Sequence, residues 1–299
     1  MDKKDVLDLF VKLMDENKYE EAKEICLKII KEYPKCSQAY FLIGIYYKNM
    51  RKLTAAVISF EKAIKYEEHH FLAYINIIRI LINQKDTIKS FDMINKAKDI
   101  FPNEYLVYIE SSNLYLNLDD IDMALIDNEI AIKLNSNSEQ ALYQCGLIYS
   151  RLYAETEETE KKEEYFNQSI IHYLKTIAIN SSNTNALLNY GAMFAKKAYS
   201  YNTEYELLAS NPTKSKNMKR KMEMCNIYFT NYNLDAKFQF ERIIKINPID
   251  ITARYNLGLV FVSLKKYDKA RYQFKKAIII NPLYEDAKLE LELLDTIKN

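Results

Sequence analysis

The sequence predicts an all-α protein, an α-solenoid of antiparallel helix pairs, on three observations. Of 299 residues only four are glycine and five proline, whereas average usage of roughly 7% and 5% would supply about 21 and 15. Hairpin-rich sheets and glycine-rich phosphate loops need more backbone-permissive positions than that, which leaves helices joined by short turns. Hydrophobic residues make up 48%, with 25 Tyr and 13 Phe, enough side chain for a long core. Finally, the sequence restates itself every 34 residues, the mark of one supersecondary unit stacked many times.

The units follow one another along the chain. Lys3–Cys36 opens with an amphipathic stretch in which Asp8 and Lys12 interrupt the apolar residues at helical spacing, unlike the core of a secretion signal. It supplies Leu9, Leu13, Ala22, Ile29 and Pro34. Ser37–His70 carries Tyr40, Ile43, Gly44, Tyr47, Ala56, Phe60 and Ala63. Phe71–Glu104 offers Tyr74, Ile77, Leu81, Ala97 and Pro102, and Tyr105–Ser138 offers Tyr108, Tyr115, Ala124 and Ala131, with Ser111 and Ser112 where a Leu-Gly pair would stand. In Ile251–Tyr284 the residues Leu257, Gly258, Phe261, Ala270, Phe274, Ala277 and Pro282 repeat the offsets of Ser37–His70. Glu285–Asn299 reads as one more amphipathic helix, with Ala287, Leu291 and Leu294 on one side, that caps the last apolar face.

Each unit reads as a helix A, a short turn and an antiparallel helix B. Glycine at the eighth place and alanine at the twentieth stand where A and B approach closest, and alanine at the twenty-seventh lets B accept the next helix A. Proline at the end of a unit cannot continue helix B. Gly44, Gly146, Gly191 and Gly258 all take the eighth place, and every proline but Pro212 ends a unit.

Two units carry insertions. Glu139–Asn183 has Leu142, Cys145, Gly146 and Tyr149 at its start, Ser169, Tyr173 and Ile179 at its end, and eleven extra residues around Ala154–Glu164. Eleven residues are about three helical turns, so lengthened helices keep their facing. Thr184–Asp250 opens with Leu187, Tyr190, Gly191 and Phe194 and closes with Ala236, Phe240, Ile246 and Pro248, with 33 extra residues between. Residues 199–235 are either two long helices meeting near Ser210-Asn211-Pro212 or a degenerate eighth repeat; Asn231-Tyr232-Asn233, resembling a repeat turn, slightly favours the repeat. The reading is one elongated domain over 1–299.

The pattern of an aromatic, Leu-Gly, Tyr, Ala, Phe, Ala and Pro at fixed spacing resembles the tetratricopeptide repeat, most closely over Ile251–Tyr284. The resemblance implies a right-handed superhelix whose helix A residues line a concave, peptide-binding groove. The second, fifth, sixth and ninth places of each unit give that lining. Its polar members are Asn76 and Arg79, then Glu110 and Asn113, then Tyr143 and Gln144, then Asn185 and Asn189, then Tyr255 and Asn256. Side-chain amides offer both a donor and an acceptor to a peptide backbone, and the row resembles the asparagine ladder of some long family members; the alternative is a solvated concave face. The family's carboxylate clamp for heat-shock chaperones needs lysine, asparagine and arginine at set places in three successive units. Leu7 and Val11 occupy the first pair and Phe41 and Ile45 the same pair one unit on, so no such partner is expected. Leu7, Val11, Phe41, Leu42, Ile45, Leu72 and Ile75 make the N-terminal groove apolar, suited to a partner helix or to self-association into a homo-oligomer.

Charge and chemistry point away from other classes. With 42 Lys+Arg against 41 Asp+Glu the net charge is +1, which gives no whole-chain drive toward nucleic acid or anionic lipid. No stretch approaches the ~18 apolar residues of a membrane span. Cys26, Cys36, Cys145 and Cys225 are scattered, as in a reduced cytoplasmic protein. His69, His70 and His172 are the only histidines, and no metal, nucleophile-elbow, P-loop or dinucleotide motif occurs. The expectation is a non-catalytic protein without cofactor. The insertions have opposite charge, acidic over Glu155–Glu164 and basic over Lys214–Lys221. They are expected to brace each other, or else to stay solvated; a sharper alternative puts the basic run against nucleic acid or anionic lipid.

Overall fold

The computed structural model describes residues 3–213 and 215–296, with side chains from Asp8 onward. Leu7's side chain, Lys214 and 297–299 lie outside the described residues. Among those described every regular element is a helix, and the chain divides into two compact units, one ending at Ser136 and the other starting at Asn137.

The first unit stacks four helix pairs: α1 (Lys3–Asp15) with α2 (Tyr19–Glu32), α3 (Ser37–Asn49) with α4 (Leu53–Tyr66), α5 (Phe71–Asn83) with α6 (Thr87–Ile100), and α7 (Tyr105–Asn117) with α8 (Ile121–Leu134). The second holds α9 (Glu139–Glu155) with α10 (Thr159–Ile179), α11 (Thr184–Ala209) with α12 (Lys216–Ile246), α13 (Ile251–Ser263) with α14 (Tyr267–Ile280), and a last helix α15 (Glu285–Thr296). Local chemistry sets many helix starts. Asp86, Asp120, Ser138, Asn183, Ser215 and Asp250 each accept a hydrogen bond from the amide three residues on, satisfying a first-turn N–H that has no intrahelical partner.

Five of the A–B turns share one strained position. Asn17, Arg51, Lys85, Asp119 and Lys265 have φ between 56° and 67°, each one at the same place of its unit. A left-handed residue lets the chain reverse in three residues, at a cost of roughly 1–2 kcal/mol for a side chain that crowds the following carbonyl.

Where A and B touch, small and large side chains alternate. A Cβ on Gly146 would lie 2.6 Å from the Tyr173 ring, and one on Gly191 2.9 Å from Phe240. Gly44 and Gly258 face Phe60 and Phe274 in the same way. The remaining pairs fill the two places differently. Phe10 with Cys26 puts the large residue at the eighth place, Ile78 stands with Ile94, and Ser112 with Asn128, all buried. The third pair is polar: the Ser112 hydroxyl donates to the Ala124 carbonyl at 2.7 Å, whereas neither amide atom of Asn128 has a partner.

Residues 199–235 belong to two long helices and the bend between them, not to a degenerate repeat. α11 has 26 residues and α12 31, against 13 and 14 in the closing pair α13–α14. Asn231-Tyr232-Asn233 lies mid-helix, where Asn233 donates to the Phe229 carbonyl at 2.9 Å. Aromatic packing holds the extension together: Tyr201 stacks on Tyr232 at 5.8 Å between centroids and packs against Tyr228 at 4.9 Å, while Phe166 and Phe194 close on the other side of Tyr232. The earlier insertion also goes into helix length, with 17 residues in α9 and 21 in α10.

Candidate functional site

In the first unit four of the polar residues read from the sequence come together. The Arg79 Nε and Nη2 both lie 2.7 Å from Glu110 Oε1, and Asn113 Nδ2 donates to Glu110 Oε2 at 3.1 Å. Glu110 is buried, while the Arg79 side chain is 45% exposed. Asn76, one turn before Arg79 on α5, donates to its own Leu72 carbonyl at 2.8 Å and accepts from Lys48 Nζ at 2.7 Å. Lys48 was not among the lining residues expected from sequence, because it stands at the twelfth place of its unit. Its four-carbon arm carries the ammonium from α3 across to α5. Burial, then the neighbouring Arg79 charge, pushes its pKa below the usual lysine range.

The second unit joins fewer of them. Asn189 donates to the Tyr143 hydroxyl at 2.9 Å, linking α11 to α9, and burial raises the Tyr143 pKa despite that bond. Gln144 is buried on the same helix and Asn185 is exposed. Tyr255 packs between Phe274 and Tyr284, at 5.8 and 5.4 Å. Asn256 donates to the Thr252 carbonyl at 3.0 Å and lines a cleft of about 480 Å³ among α11, α12 and α13, with Asn202, Tyr205 and Tyr267.

The apolar N-terminal groove expected from sequence is mostly filled. Phe41, Leu42 and Ile75 are buried and Ile45 half-buried, leaving Val11 and Leu72 exposed. Phe41 packs instead against Phe60 of α4, at 5.6 Å between ring centroids, and against His70. A larger apolar cavity, about 1130 Å³, opens instead beside α2, lined by Leu9, Ile25, Ile29, Tyr33, Ala39 and Tyr66.

The two charged insertions do not brace each other among the described residues. Glu163 pairs with Lys197 of α11, Glu158 with Lys161 at 2.7 Å, and Glu155 with Arg151 at 2.8 Å. Lys221 reaches Glu204 at 2.6 Å. Each run is met by an acid or base of its own neighbourhood, since a helical hairpin brings such partners close before a remote loop can.

No catalytic grouping emerges among the described residues. Burial, with Lys175 nearby, pushes His172 down to about 4; its ring stacks on Tyr149 and its Nδ1 has no hydrogen-bond partner. Burial likewise lowers His70, which packs on Phe41 at 4.7 Å. Cys26 is pushed up to about 12 by burial, which keeps it an inert thiol. No cluster of three metal-ligating side chains occurs among these residues, and no helix there is long and apolar enough to cross a membrane.

The tetratricopeptide repeat profile matches residues 37–70 and 251–282, two of the helix pairs described above. The chain thus carries tetratricopeptide repeats at both of these helix pairs, and its fold is that of a tetratricopeptide repeat solenoid. The TPR repeat-containing protein MJ1428 of Methanocaldococcus jannaschii is 26% identical over 275 residues, covering 88% of this chain and 46% of that relative. The chain therefore spans less than half the length of that tetratricopeptide repeat relative. Two solved structures share the fold. One is the Cut9-Hcn1 hetero-tetramer of the APC/C, with a TM-score of 0.63, 14% identity and coverage of 95% of this chain and 48% of that one. The other is YrrB, a tetratricopeptide repeat protein with an unusual peptide-binding site, with a TM-score of 0.53, 18% identity and coverage of 78% and 97%.

Proposed function

We propose that this tetratricopeptide repeat protein is a non-catalytic scaffold that holds an extended peptide or a helix of a partner protein along its helix A faces. The observation that carries the reading is the polar chain on α3, α5 and α7. Its side chains are fixed by hydrogen bonds between helices, yet the Arg79 side chain stays 45% exposed. Ordering such groups in advance removes part of the entropy that binding would otherwise cost. Asn189 and Tyr143 repeat the device in the second unit.

The test is capture of partners from a host lysate by the wild-type chain and by a variant with Asn113, Gln144 and Asn189 all changed to Ala. Loss of the captured proteins from a variant that keeps its helical circular dichroism supports the reading, and an unchanged set refutes it. Assembly through the N-terminal repeats is the second reading, supported by the open apolar cavity beside α2. A molar mass in solution that does not rise with concentration would exclude it.

A further inference from the structure

We infer that Lys48 and Arg79, positioned by Asn76 and Glu110, form an oxyanion subsite that takes the side-chain carboxylate of an acidic residue in a bound peptide. This rests on the peptide-binding reading above and adds to it the chemistry of one ligand group.

Charges and donors do not balance at this cluster. Glu110 is the one carboxylate hydrogen-bonded within this chain of side chains, and both its oxygens are taken, Oε1 by two nitrogens of Arg79 and Oε2 by Asn113. Lys48 is held by a neutral acceptor, Asn76 Oδ1 at 2.7 Å, which fixes the ammonium without neutralising it. The two cations are therefore matched by one carboxylate, which is bonded to Arg79 and not to Lys48. A guanidinium has five N–H donors and an ammonium three, so three remain on Arg79 and two on Lys48 after the bonds just given. Asn76 and Arg79 are one turn apart on α5, so both cations are fixed from the same helix face.

Several other lysines that bridge helices each meet a carboxylate. On the B helices Lys98 meets Asp127 through both carboxylate oxygens, at 2.9 and 3.0 Å, and in the second unit Lys197 meets Glu163 and Lys221 meets Glu204, one cation to one acid each. At Lys48 the surplus has an energetic consequence: burial and the Arg79 charge disfavour its ammonium form. A group perturbed in this way by burial and a specific charge is a candidate functional group. An incoming anion would balance the charge of Lys48 and accept from the remaining donors of Arg79. The surplus is one unit, which a carboxylate matches and a dianionic phosphate exceeds. Leu72, half-exposed one turn before Asn76, offers apolar contact to the residue flanking the acid. The site uses a lysine outside the four lining places and is not the three-unit chaperone clamp considered from the sequence.

The probe is a random dodecapeptide library displayed on phage through its C-terminus and panned on the full chain. The wild type should enrich peptides with Asp or Glu at one fixed position. The K48Q/R79Q variant should lose that acidic preference while keeping the preferences at other positions. A selected peptide made with its acid changed to Gln or Asn should bind the wild type at least 10-fold more weakly, a measurement that needs no protein variant to fold. Peptides enriched without an acidic position, or an acidic preference that survives K48Q/R79Q, would overturn the inference and leave the peptide-binding reading standing. A library that enriches nothing would overturn both. Displacement of the peptide by micromolar inorganic phosphate at constant ionic strength would make this a phosphate site and also refute the inference.

Discussion

Replacing Gly258 by alanine sets a local gain against a contact between helices. Alanine is favoured over glycine inside a helix by about 0.8–1 kcal/mol. Its Cβ, however, would stand within 2.8 Å of three carbons of the Phe274 ring, where carbon atoms normally sit about 3.5–4.0 Å apart. The helices α13 and α14 would have to part by about 1 Å, or the ring would have to turn. Phe274 is fully buried with Tyr255 against it, so it has little room to turn. Overpacking of this kind costs roughly 1–3 kcal/mol, and the confined ring puts Gly258→Ala in the upper half of that range. The net expectation is a loss of about 1–2 kcal/mol. At Gly191 the nearest Phe240 carbon would be 2.9 Å away and the next 3.1 Å, so the two effects come closer to cancelling. Stacked repeats unfold in parts, so hydrogen exchange of the α13 and α14 amides is the assay, with urea unfolding beside it. A Gly258→Ala protein as stable as wild type, or one more stable than Gly191→Ala, would refute the packing argument. Adding Phe274→Leu should recover at least part of the loss in a double-mutant cycle.

Four further outcomes follow from the same geometry. Lys85→Gly relieves a left-handed lysine at φ 58° and should stabilise the first unit by about 0.5–1 kcal/mol in urea unfolding; a loss would mean that the lysine side chain holds the turn. Asn128→Leu replaces a buried amide with no partner on either atom and should stabilise by about 1–2 kcal/mol, read from the unfolding midpoint. Lys98→Met leaves the Asp127 carboxylate buried without its cation and should cost about 3 kcal/mol, whereas Lys221→Met at its exposed pair with Glu204 should cost under ~1 kcal/mol. His172 should titrate near 4 in the folded chain by NMR, against 6.5 for the free side chain. The unfolded chain then takes up the proton first as pH falls, so the stability from neutral His172 is present above about 6.5 and lost progressively toward 4. His172→Phe should flatten that slope, and a folded midpoint near 6.5 would exclude the effect.

The repeated helix pair was legible because its determinants are local. Glycine at the eighth place, alanine at the twentieth and an aromatic ring on helix B lie within one unit, so contacts such as Gly258 with Phe274 leave a mark at fixed spacing. The reversal of large and small places at Phe10 and Cys26 is harder to see, since each residue taken alone departs from the pattern. Polar residues of the candidate site were legible one at a time for the same reason: Asn76, Arg79, Glu110 and Asn113 occupy regular places on successive A helices.

Their pairing was not. The bonds from Lys48 to Asn76 and from Arg79 to Glu110 span 28 and 31 residues, and a flexible lysine arm can end on any of several neighbours. Sequence alone also left two arrangements for 199–235, because Asn231-Tyr232-Asn233 suits a turn by composition. The stack of Tyr201 on Tyr232 is a tertiary contact that rewards continuing the helix. The burial of Phe41 was decided in the same way, by its contacts with Phe60 and His70. The sequence by itself determined the unit, its pitch and its helix faces, since those follow from neighbours along one or two helices. Which side chains meet across units, and therefore which are buried, paired or left with surplus charge, was decided only when the helices were stacked.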